Sequence, residues 1–176
     1  MLAATVIALL PAFTAITVMS WKVRSDYSVK TTIGSFKGLK ANIQFDEEHP
    51  ERSTIKAFID AASVNTGNGM MDEHAREKTA LYTDLYRVIS FVSTSVKRTG
   101  KTGQYEATGN LTIKGVTRQI KIPFVFDSKK DHNDLFPFTP KLTFRGSFGI
   151  VPKDYNITRP GTPEWLTVDL EIPVTK

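Results

Sequence analysis

The residues best suited to chemistry are the three histidines, because the 176-residue sequence contains no cysteine. His74 follows Asp72 by two positions, and such a pair could serve in general acid–base chemistry or in a metal site. A metal site needs three or four convergent ligands, however, and His49 and His132 lie in unrelated predicted loops. We therefore interpret Asp72 as the cap of a short helix and His74 as a structural hydrogen-bonding residue.

Sequence motifs for other kinds of catalysis are missing. The chain has no Gly-x-Ser-x-Gly nucleophile turn, no glycine-rich phosphate loop and no motif-placed pair of carboxylates. Without cysteine, disulfides and cysteine-ligated zinc or iron–sulfur centres are excluded. We predict that the protein is not an enzyme and holds no cofactor or metal. An envelope enzyme acting on a lipid-like substrate through the Asp72/His74 loop is kept as the alternative.

The charge of the chain is moderately basic, with a formal net charge of +5 and a pI near 9.4. The basic residues are spread along the sequence, and no basic run is interleaved with aromatic residues as in a nucleic-acid platform. We therefore predict no nucleic-acid partner. A transient contact with a membrane surface and a homodimer both stay open.

Residues 1–15 differ from the rest of the chain, because they are rich in Leu, Ala, Val and Ile and no charged side chain occurs before Lys22. The apolar run is shorter than the roughly 20 residues that a membrane-spanning helix needs, and Pro11 interrupts it. A secretory signal peptide fits these features. We predict a signal peptide in residues 1–15, a single domain in residues 16–176, and a bacterial periplasmic or secreted location. A buried first strand and a short membrane-surface anchor are the alternatives.

Apolar and polar residues alternate through most of the remaining sequence, which is typical of strands with one wet face. The alternation predicts about eight strands, in residues 21–31, 39–46, 54–59, 88–93, 105–113, 120–126, 142–150 and 166–174. Short glycine-bearing turns, such as Lys114-Gly115, join neighbours that should pair antiparallel. One short helix near residues 70–80 cannot cover such a sheet. The sheet must therefore fold onto itself, and closure also removes its edges. The predicted fold class is all-β, a single antiparallel barrel.

Several sequence blocks agree in order and spacing with one known family. These blocks are residues 59–68 (IDAASVNTGN), 72–74 (DEH), 109–118 (GNLTIKGVTR), 144–148 (FRGSF) and 153–155 (KDY). Together they resemble the YceI-like, or polyisoprenoid-binding, lipocalin-like proteins. The chain departs from the family pattern at Met71, where an Arg is usual, and at Pro152-Lys153, where Asn-Arg is usual.

The resemblance implies a barrel whose lumen takes a long-chain isoprenoid or other amphiphilic lipid, here an isoprenoid, quinone-like or fatty molecule, for sequestration or transport. We predict that the lumen is lined by Phe45, Ile59, Phe91, Leu111, Ile122, Phe124, Phe126, Phe144, Phe148 and Leu170. Small residues among them, such as Gly109 and Gly146, should leave room for a chain. Arg118, Arg145 and Lys153 are candidates to meet an anionic head group. A structural stress-response barrel with a filled lumen is a further alternative.

Overall fold

The fold is known from a computed structural model, which describes residues 12–15, 22–25, 34–37, 39–100, 102–127 and 142–174. The first half of the chain contributes β1 (Ala12–Ala15), β2 (Lys22–Ser25), β3 (Ser35–Phe36), β4 (Lys40–Gln44), β5 (Thr54–Asp60), β6 (Val64–Asn65) and the helix α1 (Gly69–Arg76). The second half contributes β7 (Val88–Arg98), β8 (Gln104–Ile113), β9 (Val116–Asp127), β10 (Leu142–Ile150) and β11 (Leu166–Val174). Three short 3₁₀ turns, at Pro50–Arg52, Ala61–Ser63 and Pro152–Tyr155, complete the described elements.

Nine of these strands form one antiparallel sheet, in the order β1-β4-β5-β7-β8-β9-β10-β11-β2. The sheet curls until Cα atoms of β1 and β11 come within 8 Å of each other. The small β3–β6 pair lies apart from this sheet. The predicted all-β barrel is thus confirmed, and the count of about eight strands is close to the nine observed.

Strand β8 shows how alternation builds the wall of the barrel. Tyr105, Ala107, Leu111 and Ile113 are all buried, whereas the polar residues between them are more exposed. The β8–β9 hairpin turns through Lys114 and Gly115, which have φ angles of 49° and 75°. Positive φ at both central residues gives a turn whose twist matches that of the strands, so the predicted tight hairpin forms here.

The helix begins earlier than the sequence suggested. Asn68, rather than Asp72, caps α1, because its side-chain oxygen accepts the backbone N–H groups of Met70 (3.0 Å) and Met71 (3.2 Å). Asp72 lies inside the first turn and accepts hydrogen bonds from the backbone and the hydroxyl of Thr66. The expected cap at Asp72 is therefore wrong, although the predicted helix exists.

Three segments discussed from the sequence fall partly or wholly outside the described ranges, and one of them is the predicted strand 21–31, which is described only at residues 22–25. Residues 1–11 of the predicted signal peptide lie outside them, and residues 12–15 form β1, which pairs with β4 from Ala12 opposite Gln44 to Ala15 opposite Ala41. Cleavage after Ala15 would remove this strand. Residues 129–140, which include His132, also lie outside the described residues. The signal peptide stays a prediction.

Candidate functional site: a cavity at one end of the barrel

One end of the barrel contains a cavity of about 920 Å³. This volume falls in the range of pockets that enclose small organic ligands. Its inner wall is apolar and comes from inward-facing strand residues: Ile59, Ile89, Leu111, Ile113, Phe148, Ile150 and Val168. The wall can therefore surround a hydrocarbon chain, and it offers few groups that could react with one.

The loop of residues 159–164 forms one side of the cavity mouth. The backbone N–H groups of Thr158 (2.9 Å) and Arg159 (3.1 Å) both donate to the carbonyl of Thr79. Arg159 Nη1 also lies 2.5 Å from Glu77 Oε2, so this cation is paired. Pro160 and Pro163 restrict the backbone further, because each fixes its own φ angle. The loop is therefore held across the mouth as part of the site.

Helix α1 supplies the facing side of the mouth through Met71, His74 and Ala75. Its position is fixed by Arg76, whose Nε donates to the carbonyl of Ala62 (3.0 Å) and whose Nη2 donates to that of Val64 (3.2 Å). The hydrogen bonds from Thr66 lower the pKa of Asp72, because they favour its ionised form. These contacts hold a short helix whose own residues are largely exposed.

The polar chemistry at the mouth is sparse. Lys153 lines the cavity and is exposed, and its ammonium group has no ion-pair or hydrogen-bond partner among the residues described. Glu164, also exposed, lines the same cavity, so the mouth carries charges of both signs. His74 Nε2 is 3.9 Å from Glu77 Oε1, and no hydrogen bond joins His74 to Asp72 within the described chain. An Asp72–His74 catalytic pair is therefore not formed.

Aromatic side chains fill the opposite end of the barrel. The ring of Phe45 lies 4.9 Å from that of Tyr105, 5.9 Å from that of Phe124 and 5.3 Å from that of Phe144, measured between centroids. Phe126 packs 4.8 Å from Phe144. We call these five residues the aromatic cluster. Only a void of about 50 Å³ remains beside it.

The predicted lumen residues therefore divide into three groups. Ile59, Leu111 and Phe148 line the large cavity. Another five line the small void, namely Phe91, Ile122, Phe124, Phe144 and Leu170. Phe45 and Phe126 line neither space and pack within the aromatic cluster. The lumen is thus one cavity and one nearly filled end. Whether the three cavity residues contact a ligand stays a prediction.

The three predicted head-group residues do not lie together. Lys153 is at the mouth of the cavity. Arg145 lines the small void and pairs with Asp127 (3.6 Å) and Glu171 (3.2 Å), so its charge is compensated. Arg118 Nε donates to the backbone carbonyl of Asp154 over 3.3 Å. Of these three, Lys153 lines the cavity and the other two do not, and a contact with a head group stays a prediction.

The room expected at the small residues is largely occupied. A Cβ atom at Gly109 would lie 2.6 Å from Cζ of Phe91, and one at Gly146 would lie 2.7 Å from the carbonyl oxygen of Pro123. Each glycine therefore allows a neighbour to approach closely. The expectation of free room is wrong at Gly109, where the ring of Phe91 takes the space, whereas Gly146 lines the small void.

Sequence reasoning missed the contribution of the loop to the site. The segment Arg159-Pro160-Gly161-Thr162-Pro163 reads as a rigid surface loop, and all five residues line the cavity. Its two prolines and its arginine were the sequence features that could have indicated a rigid, polar contribution to the cavity mouth. Phe36 of β3 is a second lining residue that alternation did not identify, because its strand has only two residues.

The described part of the chain lacks both clustered metal-ligating side chains and long apolar helices. No group of three or more His, Asp or Glu side chains there is placed to hold a metal ion. The helices described there are also too short or too polar to cross a bilayer.

Comparison with known proteins identifies a matching family and similar solved structures. The family model of the YceI-like domain matches residues 12–175. A UPF0312 protein of Ectopseudomonas mendocina (strain ymp) is 32% identical over 139 residues, which cover 78% of this chain and 70% of the relative. The crystal structure of Burkholderia cenocepacia BcnA is similar with a TM-score of 0.76 at 22% identity, over 88% of this chain and 95% of that one.

A polyisoprenoid binding domain from Saccharophagus degradans, implicated in plant cell wall breakdown, is also similar. It has a TM-score of 0.65 at 13% identity, over 93% of this chain and 97% of its own. The two solved structures share the barrel fold with this chain.

Proposed function

The chain belongs to the YceI-like family, and we propose that its cavity binds the hydrocarbon chain of an isoprenoid or another long-chain amphiphile. The observation that carries the proposal is the cavity of about 920 Å³, whose inner wall is built from aliphatic side chains and Phe148. The similar fold of a polyisoprenoid binding domain supports the same ligand class.

The energetics require a long chain. Burial of a methylene group returns about 0.8 kcal/mol, and association costs on the order of 4 to 15 kcal/mol. About a dozen buried carbons or more are therefore needed before binding becomes useful. A cavity that extends inward from Lys153 and Glu164 to Leu111 suits such a chain better than it suits a small polar molecule.

The polar end of the ligand would lie at the mouth, near Lys153. An ammonium group without a partner in the described chain favours an anionic or hydrogen-bond-accepting head group there.

We propose binding without catalysis, for sequestration or transport in the cell envelope. Sequencing the N terminus of the mature protein tests the envelope location, because an exported chain should lack its first residues.

The test of lipid binding uses two neighbouring residues of β5. Ile59 lines the cavity, whereas Phe58 faces outward and is 42% exposed. Ile59→Trp should fill part of the cavity and weaken binding of a fluorescent fatty-acid probe by at least about tenfold, since several methylenes lose their place. Phe58→Trp, the matched control, should bind the probe as the wild type does.

Mass spectrometry of an organic-solvent extract from natively purified protein identifies the natural ligand. Empty preparations that also ignore the probe would contradict the proposal and favour a structural barrel. Equal probe binding by Ile59→Trp and the wild type would place the lipid outside this cavity.

A further inference from the structure

The cavity and the small void occupy successive layers of the same barrel. On four strands, a residue that lines the cavity is followed two positions away by a residue that lines the void: Ile59 and Ala57, Ile89 and Phe91, Phe148 and Gly146, Val168 and Leu170. Residues two apart on a strand point to the same face. The two spaces are therefore lined by adjacent layers of side chains.

Among the four void-lining residues of these pairs, Phe91 has the largest side chain. It is 4% exposed, and it stands opposite Ala57 on β5 and Leu111 on β8. Its ring lies over Gly109, where a Cβ atom would be 2.6 Å from Cζ and 2.7 Å from Cε2 of Phe91. The absence of a side chain at position 109 lets the ring extend over the neighbouring strand.

The space behind Phe91 is poorly filled. The void of about 50 Å³ is lined there by the small side chains of Ala57 and Ala107. Farther along the barrel, Phe124 and Phe144 line the void and belong to the aromatic cluster. A smaller residue at position 91 would join this void to the cavity, and the aromatic cluster would then form the new end of the lumen.

We propose that Phe91, which stands directly behind the cavity-lining Ile89 and Leu111, is the barrier between cavity and void, called the floor below, and sets the longest hydrocarbon chain that the protein accepts. This inference rests on the proposed lipid-binding function and adds the residue that determines chain-length specificity. Chains shorter than the cavity gain affinity with every methylene, whereas the carbons of a longer chain stay outside the mouth once its end reaches the inner wall that Phe91 backs.

The experiment measures the affinity of straight-chain saturated carboxylic acids of roughly 10 to 22 carbons, by displacement of a fluorescent fatty-acid probe. For the wild type, affinity should rise about fourfold per added methylene and then level off at a limiting length. Phe91→Leu should shift that limit about two carbons longer, because the freed space continues the lumen.

Two further variants complete the design. Ile89→Phe adds a ring on the cavity side of the floor and should shift the limit to shorter chains. Val92→Ala, on the outward face of the same strand and 37% exposed in the wild type, should leave the limit unchanged. If Phe91→Leu does not fold, Phe91→Met, which keeps more of the buried volume, tests the same shift.

The outcomes separate the two proposals. If no chain of any length displaces the probe from the wild type, the lipid-binding function itself fails. If chains bind but the limiting length is the same in wild type and in the folded variants of Phe91 and Ile89, the function stands and Phe91 is not the floor.

Discussion

The two ends of the barrel are built from the same strands and differ in what fills them. At the open end, residues such as Leu111 and Val168 surround a cavity of about 920 Å³. At the other end, Phe45, Tyr105 and Phe144 belong to a cluster beside a void of only about 50 Å³. Aromatic side chains carry more area and volume than aliphatic ones, so the cluster fills most of this end of the lumen.

The open end is covered in a different way. Helix α1 and the loop of residues 159–164 lie at its mouth, and hydrogen bonds to backbone groups, such as those to the Thr79 carbonyl, keep them in place. The two ends of the barrel together show that alternation decides which face of a strand is apolar. Side-chain size at each level then decides whether that face forms packed core or cavity wall.

The largest expected effect is on the free energy of unfolding, and it should differ between two phenylalanines of β10. Phe144→Ala should lower the free energy of unfolding by about 3 to 5 kcal/mol, because it leaves a hole among packed rings. Phe148→Ala should cost less, about 2 kcal/mol, since its ring already borders the cavity and has fewer contacts to lose. Urea denaturation of both variants measures the difference. Equal losses would show that the cavity end is packed as tightly as the aromatic cluster.

The second effect concerns Tyr105, whose side-chain hydroxyl is buried and has no hydrogen-bond partner among the described residues. A buried hydroxyl without a partner retains its desolvation cost, so Tyr105→Phe should raise the free energy of unfolding by about 1 kcal/mol. A loss of stability would indicate that this hydroxyl is hydrogen-bonded in solution. Thermal or urea unfolding at neutral pH measures this change.

The same substitution has a pH signature. Burial raises the pKa of Tyr105, so the folded protein holds this proton more tightly than the unfolded chain does. The corresponding stability is present below about pH 10, the ordinary pKa of Tyr, and is lost as pH rises through the folded value. Tyr105→Phe should therefore lose less stability than the wild type in that alkaline range. Identical pH profiles would contradict the raised pKa.

The smallest expected effect is on ligand affinity, and it concerns the charge of Lys153 at the mouth of the cavity. Lys153→Glu should weaken binding of a fatty-acid anion by up to about fivefold, because one exposed charge contributes about 1 kcal/mol or less. Binding of a prenyl alcohol should not change, and added salt should reduce the difference. Lys56→Glu, on the exposed outer surface of β5, is the matched control. Equal effects of the two substitutions would mean that the head group does not lie near Lys153.

Much of the barrel could be predicted from the sequence, because a one-sided sheet requires a period of two in its residues. The segment from Tyr105 to Ile113 shows this: its alternation predicts β8, and the wall residue Leu111 faces inward as expected. The helix cap was harder to predict. Asn68 and Asp72 can both accept backbone N–H groups, and only the hydrogen bonds from Thr66 to Asp72 decide between them.

The division of the lumen could not be predicted in the same way. Phe91 and Phe148 occupy equivalent inward positions, and nothing in the alternation indicates that one borders the void and the other the cavity. That outcome depends on contacts between distant parts of the chain, such as the ring of Phe91 over Gly109. The rigid loop from Arg159 to Pro163 joins the site for a similar reason, because Thr79 holds it there.

The attachment of the loop to Thr79 and Glu77 also has a kinetic consequence. The two backbone hydrogen bonds to Thr79 and the ion pair with Glu77 join this loop to the segment that directly follows helix α1, so they oppose separation of the two sides of the mouth. For the proposed ligand, the rate of exchange would then depend on how often these contacts open, while the equilibrium affinity would depend on the apolar wall. A bound lipid would accordingly have a residence time set mainly at the surface of the protein, several residues away from the side chains that hold it.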